Sequence, residues 1–414
     1  MKKIGFVIPW FGFDIPGGAE AELKGLVLHL SEAGVPLEVL TTCVHQFQSD
    51  WSHNYHRAGT SVEKGITVRR FKARRRDEDG FNRVNRKLMN HELPLTDQEE
   101  RTFVREMVNS PSLYRYIGEH KDKYSLFVFI PYMFGTTYFG IRQCMEKAVL
   151  IPCFHDESYV YMRCFKRTFS KAAGMIFHAQ PEADLAARVY RLDHVNARVL
   201  GEGVYTEYTY DAARFRRKYG IDQPFILYAG RKDVGKNIYT LINYFHEYKY
   251  RNDNQVKLAL IGGGEVKIPK DLEQDVMDLG FVDAQDKFDA YGAALVLCQP
   301  SINESFSLVI MESWICGRPV LVHDRCKVTK HFAKASGGGL YFGDYFEFEG
   351  AVNYLLEHPL AADAMGRSGQ RFVMENFAWD VITDKYISYF EEVAKGVADA
   401  AGKRYRSKEY NEEV

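Results

Sequence analysis

The stretch FILYAGRKDVGKN, residues 225–237, decides the fold. It opens with an unbroken apolar run, Phe225 to Ala229, breaks at Gly230, and passes Arg231 and Lys236 as a helical pattern begins. An apolar run without alternation is what a strand covered by helices on both sheet faces looks like. This run restarts a pattern that the chain has already completed once. Upstream, IGFVIPW (4–10) leads into AEAELKGLVLHLSEAG (19–34), whose apolar positions 23, 26, 27 and 30 have helical spacing. LEVLTT, ITVRRF, LFVFIP, AVLIPCF and GMIFHA follow; after residue 220 come FILYAG, KLALIGGG, ALVLCQP and PVLVHD. Two successive β/α series predict two doubly wound, Rossmann-like domains of the α/β class.

The strand signals pause over GEGVYTEYTYDAARFRRKYGIDQPF (201–225), which places the domains at 1–205 and 206–379. Residues 380–414 continue a long helical pattern and end in the charged tail KRYRSKEYNEEV, expected to fray. Between residues 46 and 123 the alternation breaks, with GITVRRF the one clear strand, and the segment is expected to be irregular. It contains six Arg or Lys between 69 and 76, followed by Asp77, Glu78 and Asp79. Such a run is either a solvated, self-compensating surface or a basic face for a phosphate-bearing or membrane-borne acceptor, with Arg74 and Arg75 at its centre.

Bulk composition narrows the field. The 414 residues are 46% apolar and 26% charged, the balance of a soluble globular protein. A net charge of −1 speaks against a protein-wide attraction to nucleic acid. Seven scattered cysteines without a C-x-x-C pair suggest free thiols in a reducing compartment. The N-terminus imitates a signal peptide, but Pro9 and Asp14 interrupt it and no cleavage site follows. With no apolar stretch of spanning length, the expected location is the cytoplasm, with peripheral contact at the inner face of the membrane as an option.

Chemistry concentrates where strands end. Arg231 and Lys236 follow a strand and precede a helix, a placement that suits a diphosphate. NESFSLVIMES (303–313) frames an apolar helix, starting near Ser305, with Glu304 and Glu312. A carboxylate is costly to bury without a partner, so either both glutamates reach solvent or something polar sits between them. At the helical rise the glutamates stand roughly 12 Å apart, about the span from sugar to ribose in a nucleotide diphosphosugar. Amides near Ser307 and Leu308 could then receive the phosphates. In PGGAEAE (16–22), Gly17 and Gly18 open a helix and allow close approach of an oxygen to the backbone. His155 in FHDE (154–157) sits at a strand end, beside Asp156 and Glu157. His53 and His56 are expected to be loop histidines and not metal ligands, and no D-x-D dyad stands at a suitable strand end.

Taken in order, these segments resemble a family 4 glycosyltransferase, the retaining GT-B type. The E-x7-E motif matches Glu304 and Glu312, and the Arg/Lys pair matches Arg231 and Lys236. LIGGGE (260–265), LGFVDAQDKFDAYGAALVLCQPS (279–301), PGGAEAE, FHDE and FAWDVITDKYISYFEE (377–392) fit the remaining conserved stretches. Serines stand at 305 and 307, and Asn237 after the lysine, where the family usually has glycine.

The resemblance implies two domains facing a central cleft, with the C-terminal helix returning to the N-terminal domain. It implies transfer of a hexose of mannose or glucose type, with retention, from a GDP- or UDP-sugar to a glycan or lipid-linked glycan in surface polysaccharide biosynthesis. His155, Arg231, Lys236 and Glu304 are the implied catalytic residues. Gly17, Gly18, Gly263, Val282, Ser305, Phe306, Ser307, Leu308 and Glu312 are implied around the donor. Asp156, Glu157, Arg74 and Arg75 fall on the acceptor side, and neither a metal nor another cofactor is expected. The alternatives are a nucleotide-sugar epimerase, a phosphorylase, or a catalytically silent sugar-nucleotide binding protein.

Overall fold

The computed structural model describes the backbone of residues 2–412 and side chains as far as residue 400. The chain forms two compact units: one takes the chain up to Gly203 and again from Ile382, the other is Val204–Val381.

The first unit is built on eight strands. They are β1 (Lys3–Val7), β2 (Leu37–Thr42), β3 (Gly59–Glu63), β4 (Ile66–Phe71), β5 (Tyr124–Phe129), β6 (Ala148–Leu150), β7 (Gly174–Phe177) and β8 (Asn196–Val199). Their order is β3-β4-β2-β1-β5-β6-β7-β8. Among the described residues only the β3–β4 pair is antiparallel. The central strands are largely apolar and buried, β1 from Ile4 to Val7 and β5 from Leu126 to Phe129. The C-terminal helix, Trp379–Glu412, adds its middle turns to this unit. Phe390 meets Phe6 at 6.2 Å between ring centroids, and the Tyr386 and Tyr389 hydroxyls donate to the carbonyls of Gly201 (3.1 Å) and Asn196 (2.6 Å). The side chains of the charged tail, expected to fray, lie outside the described residues.

The second unit carries β9 (Phe225–Ala229), β10 (Lys257–Ile261), β11 (Val276–Gly280), β12 (Val296–Gln299), β13 (Val320–His323) and β14 (Gly339–Phe342). Their order is β11-β10-β9-β12-β13-β14, parallel throughout. The winding reverses between β9 and β12, and in such sheets ligands bind outside the strand C-termini at the reversal.

The segment 46–123 corrects the expectation of irregularity. It holds the β3–β4 hairpin and three helices, Glu78–Met89, Asp97–Glu106 and Pro111–His120. Each begins at a side-chain cap: Asp77, Thr96 in a reciprocal box with Glu99, and Ser110 ahead of Pro111. Their buried stripes, among them Phe81, Val84, Phe103, Val104, Leu113 and Ile117, join the core of the first unit. The polar composition hid them because each buries only one narrow face.

The basic run is largely compensated. Arg69 meets Glu38, Arg70 meets Glu63, Arg74 meets Glu106 and Arg76 meets Glu78. The Arg76 guanidinium also lies 4.5 Å from the ring centroid of Trp51. Arg75 is exposed.

Candidate active site

The reversal between β9 and β12 brings two loops together in the second unit. The first loop leaves β9 through Gly230. Gly230 N–H donates to Ile261 (2.9 Å), Gly262 N–H to Gly280 (2.7 Å) and Lys232 N–H to Gly263 (2.7 Å). This backbone lattice joins the ends of β9, β10 and β11. Gly262 has φ 122°, and a Cβ there would stand 2.1 Å from the Gly230 carbonyl oxygen, so only glycine fits. Lys232 is buried and paired with Asp278. Arg231 remains 60% exposed, 3.5 Å from Asp233. Asp233 caps the short 3-10 turn Val234–Lys236 by accepting Lys236 N–H at 3.0 Å. Asn237 then turns left-handed at φ 56°, a conformation asparagine tolerates, and donates to the Pro300 carbonyl at 3.0 Å.

The second loop follows β12 and supplies Glu304. Its Oε1 accepts from Lys236 Nζ at 2.6 Å and from Gln299 Nε2 at 3.3 Å. Gln299 also reaches Ser307 Oγ at 3.4 Å. Glu304 is only 11% exposed, so its charge is carried by the lysine of the neighbouring loop. The helix starts at Leu308, not near Ser305. Ser307 takes φ 80° and ψ 78°, which no helix interior accommodates, and so it ends the loop as the N-cap. Phe306 is core: its ring meets Phe332 and Phe377 at 5.4 and 5.1 Å, leaving only its backbone for a ligand.

Glu312 lies on helix Leu308–Ile315 and is anchored at both oxygens, by Lys287 Nζ at 2.6 Å and Tyr291 Oη at 2.8 Å. Burial, then Glu312, push the Tyr291 hydroxyl well above the ordinary tyrosine range, so it stays a donor. Tyr208, stacked on Phe288 at 3.6 Å, is likewise pushed up to about 12 by burial and by Glu312. Sequence reasoning missed Gln299, Lys287 and Tyr291. The last two sit four residues apart on helix Ala284–Ala293, and that spacing on one face was the available signal. Of the two alternatives, the glutamates thus take polar partners, in two separate sets. Val282 is half-buried just past β11, and Gly263 lies in the glycine lattice.

In the first unit the expected residues are dispersed over several loops. Gly17, at φ 142°, caps helix Gly18–Glu32, and a Cβ there would stand 2.0 Å from Glu20 Oε2. The Glu20 carboxylate folds over Gly17 and accepts the Trp10 indole N–H, which leaves Gly18 as the open approach. His155, past β6, has Nδ1 3.6 Å from Glu157 Oε1. Asp156 is engaged elsewhere, with Tyr161 Oη at 2.5 Å and Arg188 at 3.2 Å. Arg74 is tied to Glu106 and to the carbonyls of Arg75 and Arg105.

Residues 211–372 match the sequence model of the family described as Glycosyl transferases group 1. The chain is similar to alpha-maltose-1-phosphate synthase of Mycobacterium tuberculosis, 25% identical over 232 residues, which are 50% of this chain and 59% of that one. It is similar to D-inositol 3-phosphate glycosyltransferase of Acidothermus cellulolyticus, 27% identical over 254 residues, 56% of each chain. The chain thus spans less than two thirds of these curated relatives. Among solved structures, sucrose-phosphate synthase from Thermosynechococcus elongatus superposes with TM-score 0.69 at 18% identity, over 96% of this chain and 100% of that one. Anabaena HepE in complex with UDP-glucose gives 0.64 at 16% identity, over 94% and 99%. At these identities the likeness establishes the fold, two Rossmann-like domains with parallel sheets.

Proposed function

We propose that the chain is a retaining glycosyltransferase that moves a hexose of mannose or glucose type from a nucleotide diphosphosugar to a hydroxyl of a glycan. The observation that carries the proposal is the Lys236–Glu304 pair, which bridges the loops after β9 and β12 at the reversal of strand order. A lysine and an exposed arginine there meet the charge that builds on a leaving diphosphate. Glu304, already preorganised by Lys236 and Gln299, positions the sugar hydroxyls. Glu312, held by Lys287 and Tyr291, presents its carboxylate to the ribose diol. The backbone from Ser307 into helix Leu308–Ile315 supplies N–H donors for phosphate oxygens.

Breaking the anomeric C–O bond sends its electron pair onto the diphosphate. The acceptor oxygen attacks the same face and passes its proton to the leaving phosphate, so the configuration is kept and Glu304 need not act as a base. The diphosphate charge is met by Arg231, Lys236 and backbone N–H groups, with no metal required there. In this reading the first unit serves the acceptor, a growing surface glycan carried on a lipid, and His155 serves the transferred sugar. UDP is favoured as the donor nucleotide, since solved neighbours carry UDP and UDP-glucose. Among the described residues no helix is long and apolar enough to cross a membrane.

The test is thermal stability with UDP, GDP and ADP in the absence of divalent metal, for the wild type and Glu312→Ala. A ligand at one hundred times its Kd adds about 2.7 kcal/mol. One diphosphate is expected to raise Tm in the wild type and far less in the variant. No shift with any of them at millimolar concentration overturns the proposal.

A further inference from the structure

The first unit holds a cavity that the proposed transfer does not use. It measures about 270 Å³ and is lined from helices Asp97–Glu106, Gly135–Ile141 and Arg163–Phe169. Met145 and Lys171, also on its wall, lie just ahead of β6 and β7, whereas Gly18 and His155 lie past the ends of β1 and β6. This part of the wall therefore stands at the opposite end of the parallel strands from the residues assigned to transfer. The charge of the cavity is unbalanced. Arg101, Arg142, Arg167 and Lys171 line it, and the side chains of Arg101, Arg167 and Lys171 make no ion pair or hydrogen bond among the described residues. Arg142 is held in place by its own turn: its Nη1 donates to Tyr138 Oη at 2.9 Å, and its guanidinium lies 5.4 Å from that ring's centroid. The two carboxylates on the wall are spent elsewhere. Asp97 meets Arg163 at 3.1 Å, and the buried Glu100 accepts the backbone N–H groups of Arg163 (2.9 Å) and Cys164 (2.8 Å).

Thr168 is the independent observation. It is only 4% exposed, it lines the cavity, and its hydroxyl makes no hydrogen bond among the described residues. A hydroxyl withdrawn from bulk water is ordinarily paired, and the cavity is where a partner for this one can stand.

We propose that this cavity binds a small, soluble anion bearing phosphate, at a site separate from the candidate donor site of the second unit. The proposal does not rest on the assignment of that unit to a nucleotide sugar. Guanidinium forks match phosphate oxygens in pairs, and a phosphate dianion answers several cations at once, where a single carboxylate would leave most of them unmatched. The Thr168 hydroxyl adds a hydrogen bond to one oxygen. The volume suits a phosphate with a small organic body, just below the usual range of ligand pockets. A bilayer fits less well. The site is concave, and none of the large exposed apolar residues among those described lines it, so nothing there would enter the acyl boundary.

The experiment is hydrogen exchange on the full chain, titrated with inorganic phosphate and with pyrophosphate against sodium chloride at matched ionic strength. Expected is protection over 142–145 and 163–171 with the phosphates and none with chloride. Arg167→Glu lowers the affinity read from that protection about tenfold or more and leaves any protection at 230–237 unchanged. Thr168→Val, which keeps the shape and removes the hydroxyl, weakens the binding severalfold. Should Arg167→Glu fail to fold, Arg101→Gln and Thr168→Val decide by affinity alone. Phosphates that protect only 230–237, or that act no differently from chloride, overturn the proposal, as does an affinity unchanged in the folded variants. Phosphatidylglycerol vesicles that protect 163–171 where neither phosphate does make the face a membrane contact, and the proposal falls.

Discussion

At Ser307 the backbone takes φ 80°, a region that costs a serine energy and a glycine almost none. Ser307→Gly is expected to raise stability by about 1 kcal/mol in urea unfolding; a loss would mean the hydroxyl, held 3.4 Å from Gln299 Nε2, matters more than the strain. Lys236 forms the bridge to Glu304, so Lys236→Ala should lower kcat about 10²-fold or more with a smaller change in KM, measured as sugar transfer under saturating donor. An unchanged kcat would remove Lys236 from the chemistry. The four charged residues of the candidate donor site were legible in the sequence as residues. Their partners were not: Gln299 ends the strand ahead of Glu304 and Lys287 and Tyr291 share a face of a neighbouring helix, but nothing in the sequence aims them at Glu304 or Glu312.

The helices at 78–120 show why elements were missed. Their polar composition reads as surface, yet caps at Asp77, Thr96 and Ser110 start them and a few large apolar residues dock them. The Thr96–Glu99 box has a pH signature. Lys87 first, then the Thr96 backbone and side chain, hold Glu99 at about 2, against an ordinary 4.5. A carboxyl depressed in the folded state contributes stability above its unfolded value and loses it as pH falls from about 4.5 to about 2. Glu99→Gln should therefore lower Tm at neutral pH and flatten its fall over that window; parallel curves for the two proteins would contradict the pairing. The Gly262 turn makes a stronger claim. Gly262→Ala drives a Cβ against the Gly230 carbonyl and should cost about 2–4 kcal/mol, with tolerance of alanine showing that the strand ends can separate. Strands were missed in one place only, the sheet edges: β3, β8, β11 and β14 are all terminal in their sheets. An edge strand keeps exposed residues, as GTSVE and NARV do, and so lacks the apolar run that marks the buried strands.

For the whole molecule, the nucleotide should act on the second unit. Hydrogen exchange with the stabilising diphosphate is expected to show protection centred on 230–237 and 299–308; protection confined to the first unit would place the nucleotide elsewhere. The sequence by itself determined the class of the fold and its doubling, because buried parallel strands must be apolar on both faces and two such series appear in order. It also determined which charged side chains stand at the strand ends of the second unit. Only the tertiary structure decided that Lys236 meets Glu304, that Glu312 is held by Lys287 and Tyr291, and that Arg74 and Arg76 turn inward to acids of their own unit. It alone brought the Glu22 carboxylate to the His178 ring, 156 positions along the chain. The physical reason is the same throughout: periodicity and burial are local properties of a chain, whereas a charge finds its partner by the order in which strands enter a sheet.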